Sequence, residues 1–234
     1  MTAAKAARRP GLHGRRKGRR LRPGRQLLVE RLLPVLALEV PAKGTVDPRA
    51  AFGTEVADVW LEVGFGGGEH LAAQARSHPE IGFIGCEPYL NGVAKLLVQV
   101  KEEGLTNVRI VPDDARLLLP VLAEASIGRM FALFPDPWPK KRHYKRRFVN
   151  RATVDACARL LRDRAELRLA TDDYEYCRWI LDHLMRHDAF EWLARRPVDW
   201  RTRPPDWPPT RYEGKAVREG RAPVFLRFRR RPRG

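Results

Sequence analysis

From residue 56 to residue 170 the hydrophobic pattern switches between two periods. Short, nearly continuous apolar runs at 56–63, 81–86, 108–111, 129–134 and 166–170 predict buried strands. Between them, apolar residues recur every three to four positions, which predicts helices from the glycine cluster to about residue 76 and over 92–103, 117–124 and 151–161. Strand and helix in alternation imply crossover connections and hence a parallel sheet. A helix at 26–38, stopped around Pro41 and Gly44, precedes this region. A helix at 175–186, a strand at 190–194, a proline-rich loop at 197–209 and a last strand at 223–228 follow it. The fold class expected is α/β: a mostly parallel seven-stranded sheet with helices on both faces and a terminal antiparallel hairpin.

In an open parallel sheet, ligands bind beyond the C-terminal ends of the strands. Here those ends read Glu62-Val63-Gly64-Phe65-Gly66, Glu87-Pro88, Asp113-Asp114-Ala115, Phe134-Pro135-Asp136-Pro137-Trp138 and Thr171-Asp172-Asp173, each with a carboxylate. Asp114 and Asp172 also suit helix N-caps, which explains two of the five. Gly64 and Gly66 let backbone approach a ligand, a signal shared by many nucleotide folds. The third glycine of a dinucleotide fingerprint is replaced by Glu69, and Glu62 precedes the loop, so two carboxylates would repel a pyrophosphate. S-adenosylmethionine carries no phosphate; its sulfonium, ammonium and ribose diol all accept carboxylates nearby. Glu87, nineteen residues after Gly68, suits the ribose hydroxyls. Asp114 and the Ala115 backbone suit the adenine amino group, so a methyl donor is favoured over a nicotinamide. Prolines on both sides of Asp136 fix φ and hold that acid and Trp138 in place, as in-line transfer requires.

Composition changes the picture at the level of partners. The chain has 234 residues, 45 Lys and Arg against 28 Asp and Glu, and a net charge of +17. Residues 1–26 hold ten of the cations and no acid, and residues 221–234 hold six more. A third block, residues 140–147 (KKRHYKRR), places six in eight positions, and the rest of the body is net acidic. Such segregation fits a polyanion footprint, with nucleic acid as the leading partner. The expected organisation is a basic, flexible arm over 1–26 and a single domain over 27–234. No apolar run approaches the roughly 18 residues of a membrane span, and no secretory or mitochondrial leader pattern stands at the N-terminus. The three cysteines lack ligand spacing and fit a reducing, cytoplasmic compartment. His183 and His187, four apart, lack a third ligand, so no metal is expected. No obligate protein partner is expected either.

The segment 134–147 (FPDPWPKKRHYKRR), with 62–68 (EVGFGGG), Thr171-Asp172 and 210–213 (TRYE), resembles the bacterial tRNA (guanine-N7)-methyltransferase family from about Gly14 to Phe228. The resemblance implies a Rossmann-like class I fold, S-adenosyl-L-methionine as cofactor, tRNA as substrate and formation of 7-methylguanosine at a variable-loop guanosine. It implies that Glu62, Glu87, Asp114 and Asp136 bind the donor, with Asp136 also catalytic. Lys140, Asp172, Thr210, Arg211, Tyr212 and Glu213 match substrate-contacting positions, and Arg142, His143, Tyr144, Lys145, Arg146 and Arg147 an RNA-contacting stretch. Tyr144 stands where the family more often has Asn, and Cys177 where it has Ala. Three other readings of the residues remain: a noncatalytic RNA-binding module, a nicotinamide-dependent oxidoreductase and an amino-methyltransferase. Donor binding separates the first two from a methyltransferase, and product analysis separates the third.

Overall fold

The apolar runs pair as strands and are covered on both faces. In the computed structural model, which describes residues 16–234, they are β1 (Asp58–Val63), β2 (Ile81–Cys86), β3 (Val108–Val111), β4 (Ile127–Leu133) and β5 (Leu161–Thr171). All six positions of β2 and five of six in β1 are buried, the pattern of strands packed between two helical layers. The five pair in parallel. Two later strands, β6 (Phe190–Trp192) and β7 (Val224–Arg230), complete a sheet of order β3-β2-β1-β4-β5-β7-β6, with β7 antiparallel to both neighbours. The expected seven strands and the antiparallel terminal pair both form.

The helices are α1 (Pro23–Arg31), α2 (Leu33–Leu36), α3 (Glu69–Ser77), α4 (Leu90–Glu103), α5 (Ala115–Leu118), α6 (Arg151–Leu160), α7 (Tyr174–Met185), α8 (Val198–Arg201) and α9 (Arg211–Arg218). Alternation along β1 sorts them. Val59, Leu61 and Val63 join a core with Leu118 of α5, Val154 and Cys157 of α6 and Ile180 of α7. Trp60 joins the other core, with Leu71 and Ala75 of α3 and Leu96 and Val100 of α4. Glu62 therefore faces the α3 side, two residues on from Trp60.

Several boundaries differ from expectation for identifiable reasons. The helix expected at 26–38 begins at Pro23, whose missing N–H costs nothing at a helix start, and divides before α2 at Pro34. The helix expected at 117–124 ends at Leu118, because Pro120 cannot donate, and Val46 pairs with the following backbone through Val46 N–H to Val121 O and Ala123 N–H to Val46 O. α9 falls where no element was expected. Its signal is a Thr210 cap three residues ahead of Glu213, set among prolines; the Thr210 hydroxyl oxygen accepts from Glu213 N at 3.2 Å.

The described parts of the two basic tails lie against the body. Residues 1–15 lie outside the described residues. From Arg16 the arm lies on the start of α4: Leu90 N donates to Arg16 O at 2.9 Å and Asn91 Nδ2 to Arg19 O at 2.7 Å. α1 then runs through the boundary expected at residue 26. At the other end, Arg227 pairs with Glu166 at 2.9 Å and Arg230 donates to Ala158 O. Arg233 reaches Asp163 and the carbonyls of Arg159 and Leu161, satisfying the end of α6. Among the described residues no helix is long and apolar enough to cross a membrane.

Candidate active site

The chain turns one way from β1 to β2 and β3 and the other way to β4 and β5, so the loops after β1 and β4 part and leave a crevice. A cleft of about 410 Å³ opens there. Gly64 and Gly66 line it from β1, Glu87 and Tyr89 from β2, Asp114 and Ala115 from β3, and Asp136 and Trp138 from β4, with Arg146 and Tyr212 at its mouth. Glu62 lines a small adjoining cavity that shares Gly64, Phe134 and Tyr212 with the main one.

The glycine loop is drawn onto Glu87. Gly66 N donates to one carboxylate oxygen at 2.7 Å and Tyr89 N to the other at 2.9 Å. Gly66 holds φ of +59°, and a Cβ there would meet the Tyr212 ring at 2.9 Å. Gly92 is needed for a different reason: a Cβ on it would sit 2.1 Å from the Gly66 carbonyl, so the first turn of α4 can lie on the loop only without a side chain. Glu62 is buried and bonded to His70 Nδ1 at 2.7 Å, while the His70 Nε2 is buried with no hydrogen-bond partner among the described residues. Asp114 caps α5 and is gripped by the Arg116 guanidinium.

Asp136 sits on a strained loop. Phe134 and Trp138, flanking the Pro135-Asp136-Pro137 stretch, hold φ of +52° and +46°. A non-glycine residue in that region costs about 1–3 kcal/mol and persists only when its surroundings fix it. Partial burial raises the Asp136 carboxyl above its ordinary range. Burial also raises Glu87; the Tyr89 and Gly66 N–H groups oppose this, and the Asp136 charge adds to it. The two acids thus feel each other across the cleft.

The basic block divides in two. Lys140, Lys141, Arg142 and Lys145 are exposed along a 3-10 turn, Lys141–Arg146, with His143 half-buried and its ring edge-on to Trp138 at 5.7 Å. Arg146 turns inward over the Trp138 ring at 4.9 Å. Tyr144 donates its hydroxyl to Glu175. Arg147, expected among the RNA contacts, has 0% exposure and its guanidinium lies among aromatic rings, where no polynucleotide reaches.

Of the other expected substrate positions, Tyr212 lines the cleft and Thr210 the small cavity beside it. Thr210 caps α9, Tyr212 covers the glycine loop, and Arg211 lies 3.8 Å from Glu69 with Nη2 donating to the Tyr212 hydroxyl at 3.0 Å. Glu213 pairs with Arg203 at 3.0 Å and Asp172 with Arg221 at 2.7 Å. Asp172 is therefore not the cap of α7; Asp173 is, accepting from Tyr176 N. Arg203 and Arg221 carry no spacing signal, since each is brought to its acid from a distant loop. His183 and His187 are engaged by Trp179 O and Asp155 rather than by each other.

The residues present fit a donor with a diol and cationic groups: Glu87, Asp114 and Asp136 converge on the glycine cradle, and of the two arginines in the lining Arg116 is taken up by Asp114. A family model described as "Putative methyltransferase" matches residues 57–226. A tRNA (guanine-N(7)-)-methyltransferase of Rhodospirillum rubrum is 52% identical over 224 residues, 94% of this chain and 88% of its own length. Its counterpart in Paramagnetospirillum magneticum is 52% identical over 231 residues, 97% of this chain and 96% of its own. Among solved structures, the 16S rRNA methyltransferase KamB matches with a TM-score of 0.54 at 16% identity, covering 81% of this chain and 96% of its own. An rRNA methylase from Streptococcus thermophilus matches with a TM-score of 0.52 at 12% identity, covering 74% and 87%. At those identities the structures speak to the fold, which is Rossmann-like.

Proposed function

This chain belongs to the tRNA (guanine-N7)-methyltransferase family, and on that premise we propose an assignment of its cleft. It transfers a methyl group from S-adenosyl-L-methionine to N7 of a guanosine in tRNA, the variable-loop guanosine in our reading. When bound, the donor supplies an electrophilic methyl on a sulfonium. Glu87 receives the ribose hydroxyls and Asp114 with Ala115 the adenine edge. Gly64 and Gly66 let the loop backbone approach, and Glu62, held by His70, faces the cationic end.

Guanine N7 has a free lone pair and loses no proton on methylation, so orientation and charge outweigh base catalysis. Asp136 accepts from the guanine N1 and N2 protons, and its charge stabilises the cation that develops on the base. Asp172 and Glu213, oriented by Arg221 and Arg203, select guanine beside Thr210, Arg211 and Tyr212. Lys140, Arg142, His143, Lys145 and Arg146 meet phosphates next to the target. A cytoplasmic setting accords with three buried, unpaired cysteines.

The observation that carries this reading is the convergence of Glu87, Asp114 and Asp136 on one cleft with Trp138 and Arg146 at its mouth. The test is transfer of labelled methyl to unmodified tRNA transcripts, followed by nucleoside identification. Label is expected as 7-methylguanosine, lost when the variable-loop guanosine is replaced. Asp136→Ala is expected to abolish transfer while tRNA retention stays near wild type. Label in any other nucleoside overturns the reaction, and wild-type turnover in Asp136→Ala overturns the role of that residue.

A further inference from the structure

Six cations in eight positions read as one RNA-facing stretch, yet the last of them is wholly enclosed. Arg147 Nε–H donates to the Pro137 carbonyl at 2.8 Å, and its Nη2 lies 3.1 Å from a Glu175 carboxylate oxygen. The guanidinium carbon stands 3.7 Å from the Tyr144 ring centre, 4.9 Å from that of Trp179 and 5.2 Å from that of Tyr176. Among the described residues Nη1 is buried and has no hydrogen-bond partner, which leaves the rings as further company for the cation.

One side chain thus joins the loop after β4, the 3-10 turn and α7. Pro137 lies between Asp136 and Trp138, and having no N–H it can be held by hydrogen bonding only through its carbonyl. The positive φ values of Phe134 and Trp138 mean that this backbone does not keep its shape unaided. A guanidinium alone among side chains can donate to a carbonyl, donate to a carboxylate and lie flat between aromatic faces at once. A buried cation with an open nitrogen is an expensive way to gain stability. The cost is intelligible if what it secures is the position of the loop.

The geometry points to Arg147 as a positioning residue for methyl transfer: it fixes the Asp136 loop against α7 and makes no contact with RNA. The inference rests on the reading of that loop as the site of transfer. Its test is chosen to separate the two. In protein labelled with 5-fluorotryptophan, with the Trp138 resonance assigned through Trp138→Phe, Arg147→Lys keeps the charge and loses the fork of donors. The Trp138 signal is expected to shift while those of Trp60 and Trp192 hold. The kcat is expected to fall about tenfold or more, as misplacement of a reacting group does. KM for tRNA and its salt dependence are expected to stay within about twofold, which separates positioning from RNA binding.

An unmoved Trp138 signal overturns the inference, as does an unchanged kcat. A raised KM with a flattened salt slope overturns it in favour of a phosphate contact. Should the lysine variant not fold, Glu175→Ala removes the far acceptor and leaves the cation in place, and the same two readouts decide. Wild-type protein that methylates no tRNA would dispose of the functional reading, while the Trp138 resonance still tests the clamp.

Discussion

Two backbone N–H groups end on the oxygens of Glu87, an arrangement only a carboxylate can serve. In Glu87→Gln one of the two must face an amide NH2, and hydrogen bonds to charged acceptors are worth about 1.5–3 kcal/mol. Affinity for S-adenosylhomocysteine measured by calorimetry is therefore expected to fall at least about tenfold. The pH dependence follows from the sign of the shift. Burial raises this carboxyl, so the wild type loses donor affinity as pH falls through a value above the ordinary glutamate range, when the acid gains a proton where it must accept one. Asp136→Asn removes a charge that adds to the rise and is expected to move that acid limb downward. Glu87→Gln is expected to lack the limb.

At the scale of elements, the close approach of α4 to the glycine loop is the most exacting contact. Gly92→Ala drives a methyl to 2.1 Å from the Gly66 carbonyl, and overpacking of that kind costs about 1–3 kcal/mol. Thermal unfolding should show that loss together with weakened donor binding. Gly24→Ala in the first turn of α1, where a Cβ meets nothing within 4 Å, should show neither. An unaffected Gly92→Ala would mean that α4 and the loop are not held at this distance. The strands of this sheet are legible in the sequence because burial on both faces leaves unbroken apolar runs, and the acids at their ends are legible because the topology opens its crevice at the strand ends. α9 is not legible in the same way: its eight residues are mostly polar and bury only Ala216, and prolines crowd its approach. The burial of Arg147 is hidden for a related reason, since a run of cations gives composition and a 3-10 turn decides which side each one faces. The arginine partners of Asp172 and Glu213 come from 49 and 10 residues away, a separation that no local pattern reports.

Across the whole molecule, the positive charge is less available than its total suggests. Arg221, Arg227, Arg230 and Arg233, four of the six cations in residues 221–234, hold acids or carbonyls of the body. Glu166 shows what such pairing does to stability. Burial alone would raise its carboxyl, but the guanidiniums of Arg227 and Arg168 outweigh that and bring it down to about 2. A depressed folded-state value means stability that is fully present above the ordinary glutamate range and lost as pH falls through about 2. With discount for partial exposure the loss is on the order of 2 kcal/mol. Acid titration of the unfolding free energy is expected to show a shallower slope in Glu166→Gln than in the wild type below the ordinary glutamate range; parallel curves would deny the pairing that role.

The position of β7 sets an order of assembly. It is the last strand in the chain, yet it lies between β5 and β6, so those two share no hydrogen bonds with each other and belong to one sheet only through it. During synthesis the parallel half of the sheet can form while β5 still presents an unpaired edge, and β6 has no strand to join. Only when Arg230 has emerged from the ribosome can the gap be filled, and until then the edge of β5 is a surface on which nascent chains can pair wrongly. A short interval between the emergence of β5 and that of β7, or a chaperone that covers the edge meanwhile, would favour the yield of active molecules.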